Sequence, residues 1–314
     1  MTTTGILKAP DSNPGSPMSD QSLPLQCSDD GIVTLTLMPN PAKPRGGVVV
    51  LDGWLIDAID EAMSTIAEGE TPTGFILASG SERVFVAGAD LAEIEELDDP
   101  QLKAYLEKGS TTWQKIVDLP CPTVAAINGA TLGGGLELAL HCDALVAAVV
   151  AADAKPWRIG LPEAGLGLCP GWGGTQTLPA RIDPSTAITS AATGQTFKAG
   201  ELPDGLVDTT VPRTELMAAA NAWIREHPDA AADRIEHGVP RSMDQHNTSA
   251  IFEAFEMVRN ELPDTEAARA VAAAVKDGID HDWKTALQTE QRLLVELRHT
   301  PAAREKLEAF FARA

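Results

Sequence analysis

Two rhythms of apolar residues alternate along this chain. Ile32-Val-Thr-Leu-Thr-Leu37 has the period-two alternation of a strand, Val48-Val-Val-Leu51 is a second short apolar run, and Trp54–Ala67 carries apolar residues at helical intervals. Gly74-Phe-Ile-Leu-Ala78 and, after a turn, Val84-Phe-Val86 predict two more strands. Leu102–Leu119 has helical spacing and stops before Pro120, where the preceding residue is biased out of the helical region. A strand over Thr123–Ile127, a glycine-led helix over Leu136–Cys142 and a strand over Ala144–Val150 follow. Repeated strand–strand–helix units with uniformly apolar strands predict an α/β core of stacked sheets. From about Arg213 the pattern becomes helical: Thr214–Glu226, Ser249–Leu262, Glu266–Lys276, Asp282–Arg298 and Pro301–Ala314. The last begins well, with a capping hydroxyl on Thr300 and proline at its first position. Glu201–Asp208 reads as a loop within the core. The polar stretch His227–His246, with Pro228 and Pro240, reads as an insertion or hinge.

This pattern divides the 314 residues into a disordered tail over 1–26, an α/β core over 27–230 and a C-terminal helical region over 231–314. The tail is rich in Ser, Thr, Pro and Gly and has neither the apolar centre of a signal peptide nor the arginines of a transit peptide. Hydrophobic residues at 44% can bury a core, but aromatics at 4% leave Ala, Val and Leu to fill it. A net charge of −21 argues against nucleic acid, whose binding needs a basic face. No apolar run approaches the roughly 20 residues that span a bilayer, so no membrane association is expected. The four cysteines, Cys27, Cys121, Cys142 and Cys169, lack paired or metal-type spacing. A reducing, cytoplasmic setting is expected, with Cys121 and Cys142 as small buried hydrophobes.

The chemistry concentrates in Gly129-Ala-Thr-Leu-Gly-Gly-Gly-Leu-Glu137, where a strand hands over to a helix. Glycines there leave backbone N–H groups bare at a helix N-terminus, where negative charge is favoured. Gly160-Leu-Pro-Glu163 and Pro170-Gly-Trp-Gly-Gly-Thr-Gln176 follow. Bare N–H donors beside two carboxylates point to stabilising an oxyanion while moving protons. Taken singly, Glu137 reads first as a partner of its helix dipole and Glu163 as a solvated loop residue. A dinucleotide fingerprint fails at Leu138, a phosphate loop fails for want of a lysine after the glycines, and no serine-hydrolase elbow occurs. His141, four residues after Glu137, has no evident third ligand to complete a metal site, so packing or capping is its expected role.

These stretches resemble the enoyl-CoA hydratase/isomerase (crotonase) superfamily. The resemblance rests on Val84-Phe-Val-Ala-Gly-Ala-Asp-Leu91, on Ala125-Ala-Ile-Asn-Gly through Gly133-Gly-Gly-Leu-Glu-Leu-Ala139, and on Ile159-Gly-Leu-Pro-Glu163 with Pro170-Gly-Trp-Gly-Gly-Thr-Gln-Thr-Leu178. The tail, Glu305-Lys-Leu-Glu-Ala-Phe-Phe-Ala-Arg313, matches more weakly. It implies a crotonase-like spiral of ββα units with stacked sheets and a C-terminal helical region. It also implies Glu137 and Glu163 as catalytic glutamates, and the N–H groups of Ala89 and Gly134 as an oxyanion hole. For an acyl-CoA substrate it implies contacts along Ala87, Gly88, Asp90, Leu91, Ala92 and Gly133, with Phe310 and Arg313 meeting the nucleotide of a neighbouring subunit in a homotrimer or homohexamer. Ala92 stands where the family often has lysine, so Lys43 and Arg45 are the candidates to meet the phosphates of a polyanionic ligand. The implied activity is hydration of a trans-2-enoyl-CoA by a stand-alone enzyme, with no metal and no cofactor beyond the coenzyme A of the substrate. The alternatives are another CoA-thioester reaction (isomerase, hydrolase or lyase) or a non-catalytic assembly subunit.

Overall fold

From the fourth strand to the ninth, successive strands of the chain are dealt alternately to two sheets. The computed structural model describes residues 5–6, 22–43, 46–150, 155–237 and 247–312. Its strands are β1 (Gly5–Ile6), β2 (Leu25–Cys27), β3 (Ile32–Leu37), β4 (Gly74–Ser79), β5 (Val84–Val86), β6 (Thr123–Ile127), β7 (Ala130–Leu132), β8 (Ala144–Ala148), β9 (Arg158–Gly160), β10 (Phe197–Lys198) and β11 (Thr209–Val211). Among the described residues the larger sheet runs β1-β2-β3-β4-β6-β8-β11 and the smaller β10-β9-β7-β5. Thus β4, β6 and β8 each enter the large sheet in parallel, and the strand that follows each of them, β5, β7 or β9, enters the small one. This is the crotonase-type stacked-sheet spiral. Every residue of β6 and β8 is buried, as a parallel strand covered on both faces requires.

The helices are α1 (Gly53–Glu68), α2 (Leu91–Glu96), α3 (Asp99–Val117), α4 (Gly134–Ala139), α5 (Gly174–Arg181), α6 (Pro184–Thr193), α7 (Leu216–Glu226), α8 (Ala230–His237), α9 (Thr248–Val258), α10 (Glu266–Asp280), α11 (Trp283–Leu297) and α12 (Pro301–Phe311). Asp52 caps α1 by accepting from the Leu55 N–H, and Asp98 with Gln101 forms a capping box on α3. α7 covers the outer face of the large sheet, burying Leu216, Ala220 and Ile224 against Ile76, Val124 and Val146. The helices from α9 onward contribute Ile251, Phe255, Val271, Val275, Leu294 and Leu307 to the main core. No helix among the described residues is long and apolar enough to cross a membrane.

Several local expectations change. Val48–Leu51 forms no strand beyond a single bridge of Leu51 to Ala89. Its backbone-to-backbone hydrogen bonds to other segments go to the loop at 87–90, before Asp52 turns the chain into α1. The short strands β7, β9, β10 and β11 have two or three residues each, too few for a period-two signal. Gly5–Ile6, within the stretch expected as tail, pairs antiparallel with β2. Part of the polar stretch at 227–246 is helical: α8 is pinned by the buried Arg234, which donates to the Val117 carbonyl at 2.7 Å and pairs with Asp143. Residues 238–246 lie outside the described set.

Candidate active site

The spiral brings three distant stretches, the loop at 87–91, the start of α4 and the 162–172 segment, to one cavity of about 590 Å³ including its open mouth. Gly133 precedes α4 with φ at +54°, in the region that disfavours side chains, and its N–H bonds to the Gly160 carbonyl at 2.9 Å. Gly134 is needed for a different reason: a Cβ there would stand 2.6 Å from Cε3 of Trp172 and 3.1 Å from Cδ1 of Leu51. The indole itself has little room to give. Its Nε1 donates to the Leu106 carbonyl at 2.9 Å, and its ring packs against Tyr105 and Trp113 with centroids 5.5 and 5.8 Å away.

Ala89 is held from outside the cavity. The Leu51 N–H donates to the Gly88 carbonyl at 2.8 Å and the Leu51 carbonyl accepts from the Asp90 N–H at 2.9 Å. The same carbonyl accepts from the Tyr105 hydroxyl at 2.7 Å. Ala89 and Gly134 both line the cavity, and among the described residues no protein acceptor meets the N–H of either. Two backbone donors are therefore fixed by their neighbours and left open to a ligand.

Two carboxylates face the same space. Glu137 is buried, and its Oε1 accepts from the N–H groups of Trp172 and Gly174, each at 2.8 Å. Its partner is thus the start of α5 rather than the dipole of its own helix. Burial, then the nearby Glu290 and Glu163, hold its carboxyl well above the usual carboxylate range. Glu163 opens a short 3-10 turn, Glu163–Leu166. Its Oε2 is buried with no hydrogen-bond partner, and burial pushes its carboxyl up to about 8. A Cβ on Gly133 would lie 2.6 Å from Glu163 Oε1, so bare backbone is what lets this carboxyl approach the start of α4.

Of the residues expected at the site, Glu137, Glu163, Ala89, Gly134, Ala87, Gly88, Leu91 and Gly133 line the cavity. Asp90 and Ala92 do not: Asp90 caps α2 by accepting from Ala92 and Glu93, which turns both to the helix start. Lys43 gives its ammonium to Asp52, Asp90 and Glu93, bridging α1 and α2. Those three carboxylates form the one group with metal-ligand spacing among the described residues, and a lysine already stands in it. Phe310 is 43% exposed on α12, edge-on to Phe311 and apart from the cavity. Arg45 and Arg313 lie outside the described residues. His141 is a packing residue: it is buried, its Nδ1 lies 2.8 Å from the Glu137 carbonyl, and burial holds the imidazole down at about 4. Cys121 and Cys142 are buried, and burial raises both thiols. Sequence reasoning missed the apolar wall, Ile94, Leu106, Leu168 and Leu294, as well as the roles of Trp172 and Glu290. Only Trp172 left a trace, as the large residue inside a glycine-rich run.

A sequence model described as enoyl-CoA hydratase/isomerase matches residues 50–262. Among similar proteins, the fatty acid oxidation complex subunit alpha of Aliivibrio fischeri is 34% identical over 264 residues, covering 82% of this chain and 36% of the relative. That of Idiomarina loihiensis is 29% identical over 300 residues, covering 93% and 41% respectively. The chain thus spans about two fifths of the length of these relatives. Among solved structures, an enoyl-CoA hydratase from Bacillus anthracis is 28% identical with a TM-score of 0.57, covering 93% of this chain and 97% of that one. Human mitochondrial delta3-delta2-enoyl-CoA isomerase, 21% identical, shares the fold with a TM-score of 0.62 over 93% of this chain and 98% of its own.

Proposed function

Because the chain belongs to the enoyl-CoA hydratase/isomerase family, we propose that it hydrates a trans-2-enoyl-CoA. The observation that carries the reading is the convergence, on one cavity, of two N–H donors without a protein acceptor and two carboxyls of raised pKa. The thioester oxygen accepts from Ala89 and Gly134, and negative charge developing on it in the enolate strengthens both bonds. Glu137 and Glu163 hold one water between them. The ionised member takes a proton from this water as its oxygen bonds to C3, and the protonated member gives its proton to C2. Water adds to one face, and the pair ends with the same number of protons, their positions exchanged. Two buried carboxyls of raised pKa suit this, because at neutral pH they retain a shared proton.

On this reading the backbone from Ala87 to Ala92 runs beside the CoA moiety, and Phe310 and Arg313 complete a neighbour's nucleotide site in a trimer or a hexamer of two trimers. Lys43 and Arg45 are the basic residues proposed to meet the phosphates, which for Lys43 means sharing an ammonium that also pairs with Asp52, Asp90 and Glu93. No further cofactor takes part. The apolar wall of Ile94, Leu106, Leu168 and Leu294 receives the acyl chain.

The test is a panel of 2-enoyl, 3-enoyl and saturated CoA thioesters, followed by absorbance of the conjugated thioester. Hydration is expected to bleach the 2-enoyl substrates with formation of 3-hydroxyacyl-CoA. Turnover confined to 3-enoyl substrates, with conjugation appearing instead, would replace hydration by isomerisation.

A further inference from the structure

Glu290 on α11 is fully buried and lies far in sequence from the motifs that carry Glu137 and Glu163. Its carboxylate accepts from the N–H groups of Gly173 at 2.6 Å and Thr175 at 2.9 Å, and from the Thr175 hydroxyl. Glu137 takes the two donors that alternate with these, Trp172 and Gly174. Four consecutive N–H groups at the start of α5 are therefore shared, turn about, between a carboxylate of α4 and one of α11. An isolated buried carboxylate is costly to desolvate, which a residue serving only as filler would avoid. The surrounding contacts also lock α11 to this turn. The Cys169 thiol points to the Glu290 carbonyl and Gln291 reaches the Gly171 carbonyl at 3.4 Å, while its bond to the Ser110 hydroxyl at 2.8 Å ties α11 to α3 and Leu294, one turn on, lines the cavity.

We infer that Glu290 is a positioning residue for Glu137: it fixes the Trp172–Thr175 turn whose N–H groups aim the Glu137 carboxyl, and it sets a third acidic group beside the proton-handling pair. The inference rests on the hydratase reading for its kinetic consequence and on hydrogen bonding for its geometry. The charge of Glu290 adds to burial in raising Glu137, and it acts in the same sense on Glu163. The other ionisable groups on the packed elements are engaged elsewhere: Lys108 and Lys115 of α3 pair with Asp60, Arg181 of α5 with Asp208, Arg269 and Lys276 of α10 with Asp264 and Asp280, and Asp277 of α10 accepts from the Thr289 hydroxyl. Tyr105 of α3 donates to Leu51, His141, just past the end of α4, faces the Glu137 carbonyl, Cys169 precedes the turn, and Arg292 of α11 turns outward to Glu296. None of these sets a cation against the three carboxylates.

Glu290→Gln in the full chain keeps the shape, removes the charge and turns an amide nitrogen toward one of the N–H donors. With a 2-enoyl-CoA substrate, kcat is expected to fall on the order of 10²-fold, with KM little changed, because a misplaced catalytic group costs about that much. The limb of the pH profile set by the carboxyl pair should move to lower pH, since a neighbouring negative charge is gone. Glu290→Asp, which keeps the charge but draws it back by one methylene, should lose kcat with the limb in place. It also serves if the Gln variant does not fold. Infrared titration of the buried carboxyl bands reads the same shift without turnover. If the wild type hydrates nothing, the functional reading fails, while the infrared comparison still decides the role of Glu290. Wild-type kcat and an unmoved carboxyl titration in Glu290→Gln, or wild-type kcat in Glu290→Asp, would overturn the inference.

Discussion

Replacing Glu163 by Gln exchanges one atom of a carboxyl whose Oε2 is buried and has no hydrogen-bond partner. An amide nitrogen in that position meets the same surroundings, so the cost of an unsatisfied buried polar atom, about 1–3 kcal/mol, is carried by both proteins and cancels. Ionisation does not cancel. Burial raises the carboxyl from 4.5 to about 8, so the fold favours its protonated form. The stability contributed by that preference is fully present below about 4.5 and is lost as pH rises through about 8. Glutamine has no proton to lose and keeps it. The thermal midpoints of wild type and variant should therefore nearly coincide at about pH 4, with the variant pulling ahead as the pH approaches about 9. Activity should move the other way, falling about 10²–10⁴-fold through loss of an acid–base group, and further if the pair acts as a unit. Differential scanning calorimetry across this range reads the first effect, and bleaching of the conjugated thioester reads the second. Near-full turnover of the variant would refute the two-carboxyl mechanism, and a midpoint difference independent of pH would refute the ionisation argument.

Glu137→Gln retains an Oε1 able to accept from both Trp172 and Gly174, so circular dichroism should report an intact fold while turnover falls by a similar 10²–10⁴-fold. Gly134→Ala drives a Cβ to 2.6 Å from an indole that Leu106 holds in place; about 1–3 kcal/mol of stability should be lost in chemical denaturation. The same variant should lose on the order of 10²–10³ in kcat as one oxyanion donor shifts. Phe310→Ala should leave the melting temperature nearly unchanged, because the ring is 43% exposed, yet weaken CoA binding in calorimetric titration. Light scattering should find a trimer or hexamer, and a fully active monomer at micromolar concentration would rule out a nucleotide site shared between subunits.

Much of the core was legible because long buried strands and amphipathic helices write their periods into the chain. β3, β4, β6 and β8 are such strands, and α1, α3, α10 and α11 such helices. What escaped was decided by partners far along the chain. Val48–Leu51 has the composition of a strand but only one neighbour to pair with. α6, Pro184–Thr193, is made largely of Ala, Ser and Thr, and shows itself only through Asp183 and Pro184 at its start. At the site, Glu137, Glu163 and the glycines stand in motifs, because bare backbone and close approach restrict residue type locally. Glu290 could not be read in this way. Its meaning lies in a turn more than a hundred residues earlier, and an isolated glutamate in an amphipathic helix looks like any solvated one. Lys43 is similar: its pairing with Asp52, Asp90 and Glu93 joins residues up to fifty positions apart and leaves no local signal.

The interlocking of α11 with the turn before α5 also bears on the order in which this protein assembles. Its contacts, Glu290 to Gly173 and Thr175 and Gln291 to Gly171, span separations of more than a hundred residues. Such long loop closures are slow and come late in folding. A chain that has formed only its sheets and first helices would hold its glutamates and glycines and still be inert. On warming, local opening of that C-terminal layer would free the turn at 172–175 while the sheets stay paired. Catalytic competence would then fade before the sheets melt, and amide exchange at 172–175 should match that of α11 rather than that of β6 and β8.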